Sequence, residues 1–462
     1  MANTTWYVDP QNGDDAADGL TEGTAKATVP AVQVGDIVRM RRGSVYNKET
    51  TSILQSNRQG LIFTDYGPEG APKPIFRLKA AAGTYGFLCQ GDTLFHNIAF
   101  NDFRITDTEV VGDPIGPHCI NFNRRNGTVG QPGVSGAVIN CDFKDIGANA
   151  IMANTSSNGL SPALASDTIL ILGCRFDGLG ADGFFGAAKN LRVGHCSFHR
   201  LGTRKDSTYT PPAGGWQSTS DGIGAFNGGG AWWIHDNWFD HRDYDCKQAI
   251  GASGDPDAAP HSIMIERNVI LGYENSVSCT PVNILADFTM RNNYIRGSRI
   301  LLNINDISNL ARVESNIFHQ LQGIGDVSAI EAFGTGALIV GNSIIGSGTS
   351  PWAIRKRTGA SGFVATDNMI KGFAKGIYLA PDTTDHIVGR NGWYGVGSHY
   401  EGTAPIADPS DDISFASDPF IPGGYELRRQ AVAVNGNSKR QMRDFFGRFP
   451  GISHIGALAT LA

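Results

Sequence analysis

Hydrophobic and polar positions alternate in a short block that recurs eleven times along the chain. The blocks read TLFHNIAF, VINCDF, LILGCRF, RVGHCSF, WIHDNWF, MIERNVI, TMRNNYI, RVESNIF, IVGNSII, ATDNMI and VGRNGW. Aligned on a shared polar or thiol position, they give one column: Asn97, Cys141, Cys174, Cys196, Asn237, Asn268, Asn293, Asn316, Asn342, Asn368 and Asn391. Two residues later an apolar column holds Phe143, Phe176, Phe198, Phe239 and their successors, with Ala99 as the one small member. Alternation of this kind predicts half-buried strands. From Asn237 onward the column repeats every 23 to 31 residues, a period that predicts one supersecondary unit per turn of a repeat array. A single unit cannot bury its apolar side, whereas stacked neighbours can. The expected fold is therefore all-β: a single-stranded right-handed parallel β-helix, a solenoid with three strands per coil spaced ~4.8 Å apart. A buried Asn at one corner of each coil can bond to the Asn above and below and to turn backbone. Cys fills the same slot as a small buried group. The column is structural, and none of it is assigned to catalysis.

The spacing divides the chain. Residues 1–75 are expected to form an N-terminal cap and first coil, with a strand at Trp6–Val8 and a short helical stretch near Lys26–Val34. Residues 76–400 form the solenoid, and 401–462 a C-terminal capping segment. Caps are needed because an open solenoid end is an unpaired edge. The column spacing stretches to 44 residues between Asn97 and Cys141 and to 41 between Cys196 and Asn237. These gaps place inserted loops at 103–135, 154–166 and 201–220. Loops gathered on a rigid scaffold are where binding sites are usually built.

Composition narrows the classes. The chain has 462 residues, 59 of them glycine, and a formal net charge of −6. No basic run dominates, which disfavours a nucleic-acid partner. No apolar run approaches the ~20 residues of a transmembrane helix, so no membrane partner is expected. The seven cysteines show no metal-ligand spacing and suggest reduced thiols. The start, MANTTWYVDP, lacks a signal-peptide pattern.

The ends carry a resemblance. The first residues include Tyr7, Val8, Asp9, Gly13, Asp14, Asp18 and Gly19, then Gly35, Asp36, Val38, Gly43 and Tyr46. The last include Tyr425, Leu427, Asp444, Gly447, Ile455, Gly456 and Ala457. Both stretches resemble the pectate-lyase-like superfamily of right-handed parallel β-helix proteins. That superfamily includes polysaccharide lyases, glycoside hydrolases and phage tailspike depolymerases, along with members that only bind or act as shafts. The resemblance implies the fold and leaves the reaction open.

Candidate chemistry comes from a second column. Eight residues past the ladder lie Asn149, Asp182 and Asp245, and Asp221 joins them if 201–220 is looped out. Stacked on three coils, Asp182, Asp221 and Asp245 would repel by roughly 3–4 kcal/mol per neighbouring pair. A shared proton or a bound Ca2+ would relieve this, the first giving a general acid beside a base and the second a metal site. An Asp-Gly turn that caps backbone is the plainer alternative. The stretch HDNWFDHRDYDCKQAI concentrates His241, Arg242, Asp243, Asp245 and Lys247. β-Elimination on a uronate needs a cation to acidify the C5 proton, a base to take it and an acid for the leaving oxygen. Lys247 or His241 is the expected base, with Arg242 at hand for the carboxylate. Arg204, Lys205, Tyr209, Trp216 and Trp233, with Asp243, are the expected substrate-binding residues.

These readings converge on a depolymerase that cleaves an acidic bacterial exopolysaccharide or capsule, by β-elimination first. A glycoside hydrolase using paired Asp residues is the alternative, and a non-catalytic carbohydrate-binding β-helix the third. The last predicts that the Asp column faces a turn and lines no groove. The resemblance to tailspikes implies a homotrimer that is virion-associated or extracellular.

Overall fold

A computed structural model of the chain describes residues 3–81, 83–105, 117–123, 134–153, 166–204, 220–226, 231–242, 244–245, 248–253, 262–272, 282–284, 288–297, 300–307, 311–321, 327–334, 336–357, 362–402 and 412–415. The chain divides into two compact units. The first holds residues 1–232, 244–246 and 257–259; the second holds 233–243, 247–256 and 260–462. Each is built from three parallel sheets stacked in sequence order, a parallel β-helix. Among the described residues no helix is long and apolar enough to cross a membrane.

In the first unit, one sheet runs from Thr5–Val8 through Ile37–Arg41 and Leu61–Tyr66 to Ala188–Gly194. A second runs from Val45–Glu49 to Ser197–Leu201, and a third from Leu54–Ser56 through His118–Phe122 to Asp221–Phe226. Phe100, Phe143, Phe176 and Phe198 of the second sheet stack ring on ring inside the coil, with centroids 5.0, 4.9 and 4.6 Å apart. All four are fully buried.

This stack corrects the alignment of the first block. His96 pairs with Ile139, so Asn97 stands opposite Asn140 and the inward slot belongs to Ile98. Phe100, not Ala99, pairs with Phe143. One residue of slip exchanges every inward and outward side chain, and the undersized Ala99 was its trace in the sequence. Asn97 instead faces Asn140, whose Nδ2 donates to Asn97 Oδ1 at 2.9 Å.

In the second unit the Asn column forms the expected ladder. Asn237, Asn268, Asn293, Asn316, Asn342 and Asn368 each direct both backbone N–H and Nδ2 to the Oδ1 of the next Asn, at 2.9–3.2 Å. The run ends where Asn391 N–H donates to Asp412 Oδ1 at 2.8 Å. Tyr400 Oη donates to the other oxygen of Asp412 at 2.5 Å.

The expected helix near Lys26–Val34 does not form. A short 3-10 turn at Glu22–Thr24 is followed by irregular chain. Pro30 lacks an amide donor, and the neighbouring β-branched residues Thr28, Val29, Val32 and Val34 disfavour a helix. Two motif aspartates hold this end together. Asp9 accepts from the amides of Gln11 and Asn12 and pairs with Arg41 at 2.8 Å. Asp36 accepts from the amides of Thr4 and Gln33 and from Trp6 Nε1. The terminal motif residues from Tyr425 to Ala457, and with them most of the expected capping segment, lie outside the described residues.

Candidate functional site

The second sheet of the first unit departs from strict alternation. Its strands read Phe-Asn-Asp-Phe (100–103), Phe-Lys-Asp-Ile (143–146), Phe-Asp-Gly-Leu (176–179) and Phe-His-Arg-Leu (198–201). Two residues, at least one of them polar, separate two buried apolar ones, so the chain must add a residue to restore phase. It does so in the left-handed region: Asp102, Asp145, Gly178 and Arg200 have φ of 65°, 54°, 76° and 49°. Register places these four on successive coils, beside an outward row of Asn101, Lys144, Asp177 and His199. The bulge thus turns two rows of polar side chains onto one outer face. A Cβ on Gly178 would lie 2.6 Å from Asp145 Oδ1, so glycine both permits the φ and leaves room for that carboxylate.

Charges interlock across the coils of this face. Arg200 Nε bonds Asp177 Oδ1 closely, while its Nη2 lies 3.7 Å from Asp145 Oδ1. Arg175 reaches Asp177 at 3.4 Å, and Lys144 Nζ stands 3.9 Å from Asp145. Lys73 pairs with Asp142 at 3.1 Å. The two central carboxyls are driven apart in acidity. Burial raises Asp145 above the usual carboxylate value; Lys144 and Arg200 pull it down, and the charges of Asp177 and Asp102 add to the rise. Burial pushes Asp177 upward too, but the Arg200 hydrogen bond and the charges of Arg200, Arg175 and His199 outweigh it and leave it below the usual value. A cleft of about 300 Å3 opens on this face, lined by Asn101, Asp142, Lys144, Arg175 and Asp177. A carboxyl of raised pKa beside one of lowered pKa is an arrangement from which acid–base chemistry can be built.

The sequence-predicted Asp column lies at the corner that enters the third sheet. Register aligns Tyr85, His118, Asn149, Asp182 and Asp221 on successive coils. His118, Asn149 and Asp182 each accept the backbone amide of the next residue in the column. Asn149 N–H donates to His118 Nδ1 at 3.4 Å, Asp182 N–H to Asn149 Oδ1 at 2.8 Å, and Asp221 N–H to Asp182 Oδ1 at 2.5 Å. Asp182 and Asp221 are buried. The column is a second ladder of side chain on backbone, and it satisfies turn amides that would otherwise be unpaired. Burial leaves the His118 ring neutral, with its pKa pushed down to about 4, as an accepting nitrogen requires.

Asp245 stands elsewhere. Its strand, Tyr244–Asp245, pairs antiparallel with Thr203–Arg204, and Asp245 lies opposite Thr203 in a separate two-stranded sheet. Calcium takes six to eight oxygens. With Asp182 Oδ1 committed to an amide and Asp245 in another sheet, the described residues do not gather such a set at this corner.

Of the other predicted residues, His241 is buried, and Arg242 is exposed and clamps Asp240 through two bonds of 2.9 and 2.7 Å. Trp233 is half-buried; its Nε1 donates to Glu266 Oε1 at 3.1 Å and its ring lies 4.0 Å from that of His235. Glu266 also pairs with Arg267 and Arg291, and Arg267 grips Asp236 through both Asp oxygens. These residues form a connected network in the second unit, with Trp233 bonded to its edge at Glu266. Lys205, Tyr209, Trp216, Asp243 and Lys247 lie outside the described residues, as do most of the inserted loops; of Arg204 and Asp245 only the backbone is described.

No protein-family model and no curated protein matches the chain. Solved structures do match. A GH136 lacto-N-biosidase from Eubacterium ramulus aligns with a TM-score of 0.40 at 13% identity, over 89% of this chain and 68% of that one. Tailspike protein 3 of bacteriophage CBA120 aligns with a TM-score of 0.43 at 10% identity, over 82% of this chain and 56% of that one. Likeness at this level concerns the fold, and residue roles have to come from the chain itself.

Proposed function

We propose that the protein is a carbohydrate-active enzyme that cuts an acidic bacterial exopolysaccharide or capsule at the outer face of the second sheet in the first unit. The observation that carries this reading is the Asp145–Arg200–Asp177 cluster beside an open cleft, with its two carboxyls shifted in opposite directions. Asp145, the carboxyl of raised pKa, gives its proton to the glycosidic oxygen. Asp177, kept ionised, acts as base or nucleophile on the opposite side. Lys144 and Arg175, whose side chains are 55% and 63% exposed, are placed to hold substrate carboxylates. In this reading hydrolysis takes precedence over the β-elimination expected from sequence, and Asp182 and Asp221 support the frame. The reading includes a virion-associated or extracellular homotrimer.

β-Elimination keeps one supporting observation. Lys144 sits on the cleft only loosely paired, where it could take a C5 proton once Arg175 neutralises the uronate. Digestion of a panel of acidic exopolysaccharides, followed by reducing-end appearance and ultraviolet absorbance, separates the two. Hydrolysis predicts new reducing ends without absorbance, undiminished by chelator. A rise in absorbance would move the chemistry to elimination. Asp145→Asn and Asp177→Asn are each expected to lose about 10²–10⁴-fold in kcat. Full activity in both variants, with a normal melting temperature, would remove this face from the chemistry.

A further inference from the structure

In the second unit the second sheet opens with Trp238–Asp240 and continues through Val269–Leu271, Tyr294–Gly297 and Ile317–Gln320. Phe239, Ile270, Ile295 and Phe318 form its inward row and are fully buried. Alternation therefore turns Trp238 and Asp240 to the outer face, about 7 Å apart along the strand. Register sets Trp238 at the head of an outward apolar row that runs on through Val269, Tyr294 and Ile317. The later members are closed off: Tyr294 and Ile317 are buried in an apolar cluster with Leu271, Ile345 and Met369, and Val269 packs against it. Trp238, the bulkiest side chain of the row, is 43% exposed. Among the described residues no ring stacks on it and its Nε1 makes no hydrogen bond.

The same outer face carries a polar fork. Arg242 reaches back to Asp240 through Nε at 2.9 Å and Nη2 at 2.7 Å, which holds its guanidinium in one orientation. The Arg242 side chain is 43% exposed and that of Asp240 19%, so a ligand in solvent can reach both. A guanidinium carries five N–H donors and a carboxylate about four lone-pair sites, so the pair offers donors and acceptors together. Their charges offset each other, which favours hydroxyls over a carboxylate or phosphate. A lone exposed ring needs no explanation. Here an unstacked indole, the apolar row behind it and a fixed fork on the same face coincide. That combination matches a pyranose, whose C–H face is apolar and whose rim bears hydroxyls.

We propose that Trp238 is the stacking platform, and Asp240 with Arg242 the hydroxyl contacts, of a subsite for a neutral pyranose residue on the outer face of the second unit's second sheet. The proposal rests on the carbohydrate reading above and extends it: the polymer would carry uncharged residues as well as acidic ones. Trp233, expected from sequence to stack on sugar, is bonded to Glu266 instead.

The test is calorimetric titration of the full chain with hexasaccharides of unsubstituted glucose, galactose and mannose. Wild type, Trp238→Ala, Trp238→Phe, Arg242→Gln and Asp177→Asn are compared, each with its melting temperature and sedimentation mass. We expect at least one hexasaccharide to bind wild type and Asp177→Asn alike, and to bind Trp238→Ala at least about tenfold more weakly. Trp238→Phe should fall between, because a smaller ring keeps part of the stacking. The Trp238 variants should melt close to wild type, since an exposed side chain carries little of the fold. Binding that Trp238→Ala loses, without cleavage of any acidic polysaccharide by wild type, would leave this subsite standing and overturn the catalytic reading. Equal binding by Trp238→Ala, or no binding of any probe by wild type, overturns the subsite while leaving the catalytic reading untouched. Should Trp238→Ala melt well below wild type, Arg242→Gln decides: unchanged binding overturns the subsite, and weakening of about tenfold upholds it. An assembly that comes apart in Trp238→Ala assigns the ring to a contact between copies of the chain and overturns the subsite as well.

Discussion

Asp145 and Asp177 have the same intrinsic chemistry and are separated by their neighbours. The Arg200 guanidinium bonds one closely and stands off from the other, and burial acts on both. If Asp177 must be ionised and Asp145 protonated, kcat/KM should be bell-shaped in pH. Its acid limb should lie below the usual carboxylate value and its alkaline limb above it. Arg200→Gln should move the acid limb to higher pH, since Asp177 would lose its main stabilising partner. Asp145→Asn should flatten the alkaline limb in what activity remains. Burial also governs the thiols. Cys89 is pushed up to about 12, and Cys119, Cys141 and Cys174 are raised as well. A thiol-specific reagent at pH 8 should therefore leave all four unmodified in the native protein and reach them only on unfolding, which a timed absorbance assay with and without denaturant would reveal.

At the scale of elements, the two ladders differ in what holds them. The Asn ladder uses a neutral amide that donates and accepts at every coil. Asn316 Nδ2 donates to Met290 O and Glu314 O as well as to Asn342 Oδ1, at 2.9–3.1 Å. Asn316→Ala would strand these carbonyls and the Asn293 amide, and should cost about 2–4 kcal/mol in equilibrium urea unfolding. The corner ladder includes His118, whose folded pKa lies below the ordinary 6.5. Between about pH 6.5 and 4 the unfolded chain binds the extra proton, so this contribution is present above that window and fades as pH falls through it. The full effect is on the order of 3 kcal/mol. His118→Asn keeps an acceptor for the Asn149 amide and should remove this step from a calorimetric series in pH.

These elements were not equally legible. Every coil of the second unit asks the same thing of its Asn, so repetition alone exposed the column and its period. The first block misled because Asn97 lies next to a slot filled by Ile98, and one residue of slip is invisible without the pairing. Asp182 and Asp221 were found as a column, but charge alone does not reveal that Asp182 accepts an amide. The second-sheet face was missed because alternation was sought and the informative signal was its failure. The two-residue spacers in Phe-Lys-Asp-Ile, Phe-Asp-Gly-Leu and Phe-His-Arg-Leu mark the bulge that carries Asp145 and Arg200.

At the scale of the whole molecule, each unit is assembled from parallel pairings between residues many positions apart, such as Val38 with Phe63 and Met290 with Val313. Non-local pairing of this kind predicts slow folding, and refolding followed by fluorescence should take seconds or longer. The long aromatic stack and the ladders fix coil against coil, so side chains on the outer faces inherit a regular pitch. Side chains 32 positions apart, such as Asp145 and Asp177, are thereby brought onto one face without either lying on a long loop, as the proposed acid–base pair requires.

The Asn ladder of the second unit also has a direction. Every backbone amide in it points toward the Oδ1 of the coil that follows, and the last meets the carboxylate of Asp412. Aligned amides add their dipoles, as they do along an α-helix, so the run has a positive end, and that end carries an anion. The array is thus electrically polar, and its two ends are not interchangeable as joining surfaces. A rung grafted beyond Asn391 must present an acceptor, whereas one grafted before Asn237 must bring donors. Asp412→Lys would place like charge at the positive terminus, and should loosen the final coils before any others.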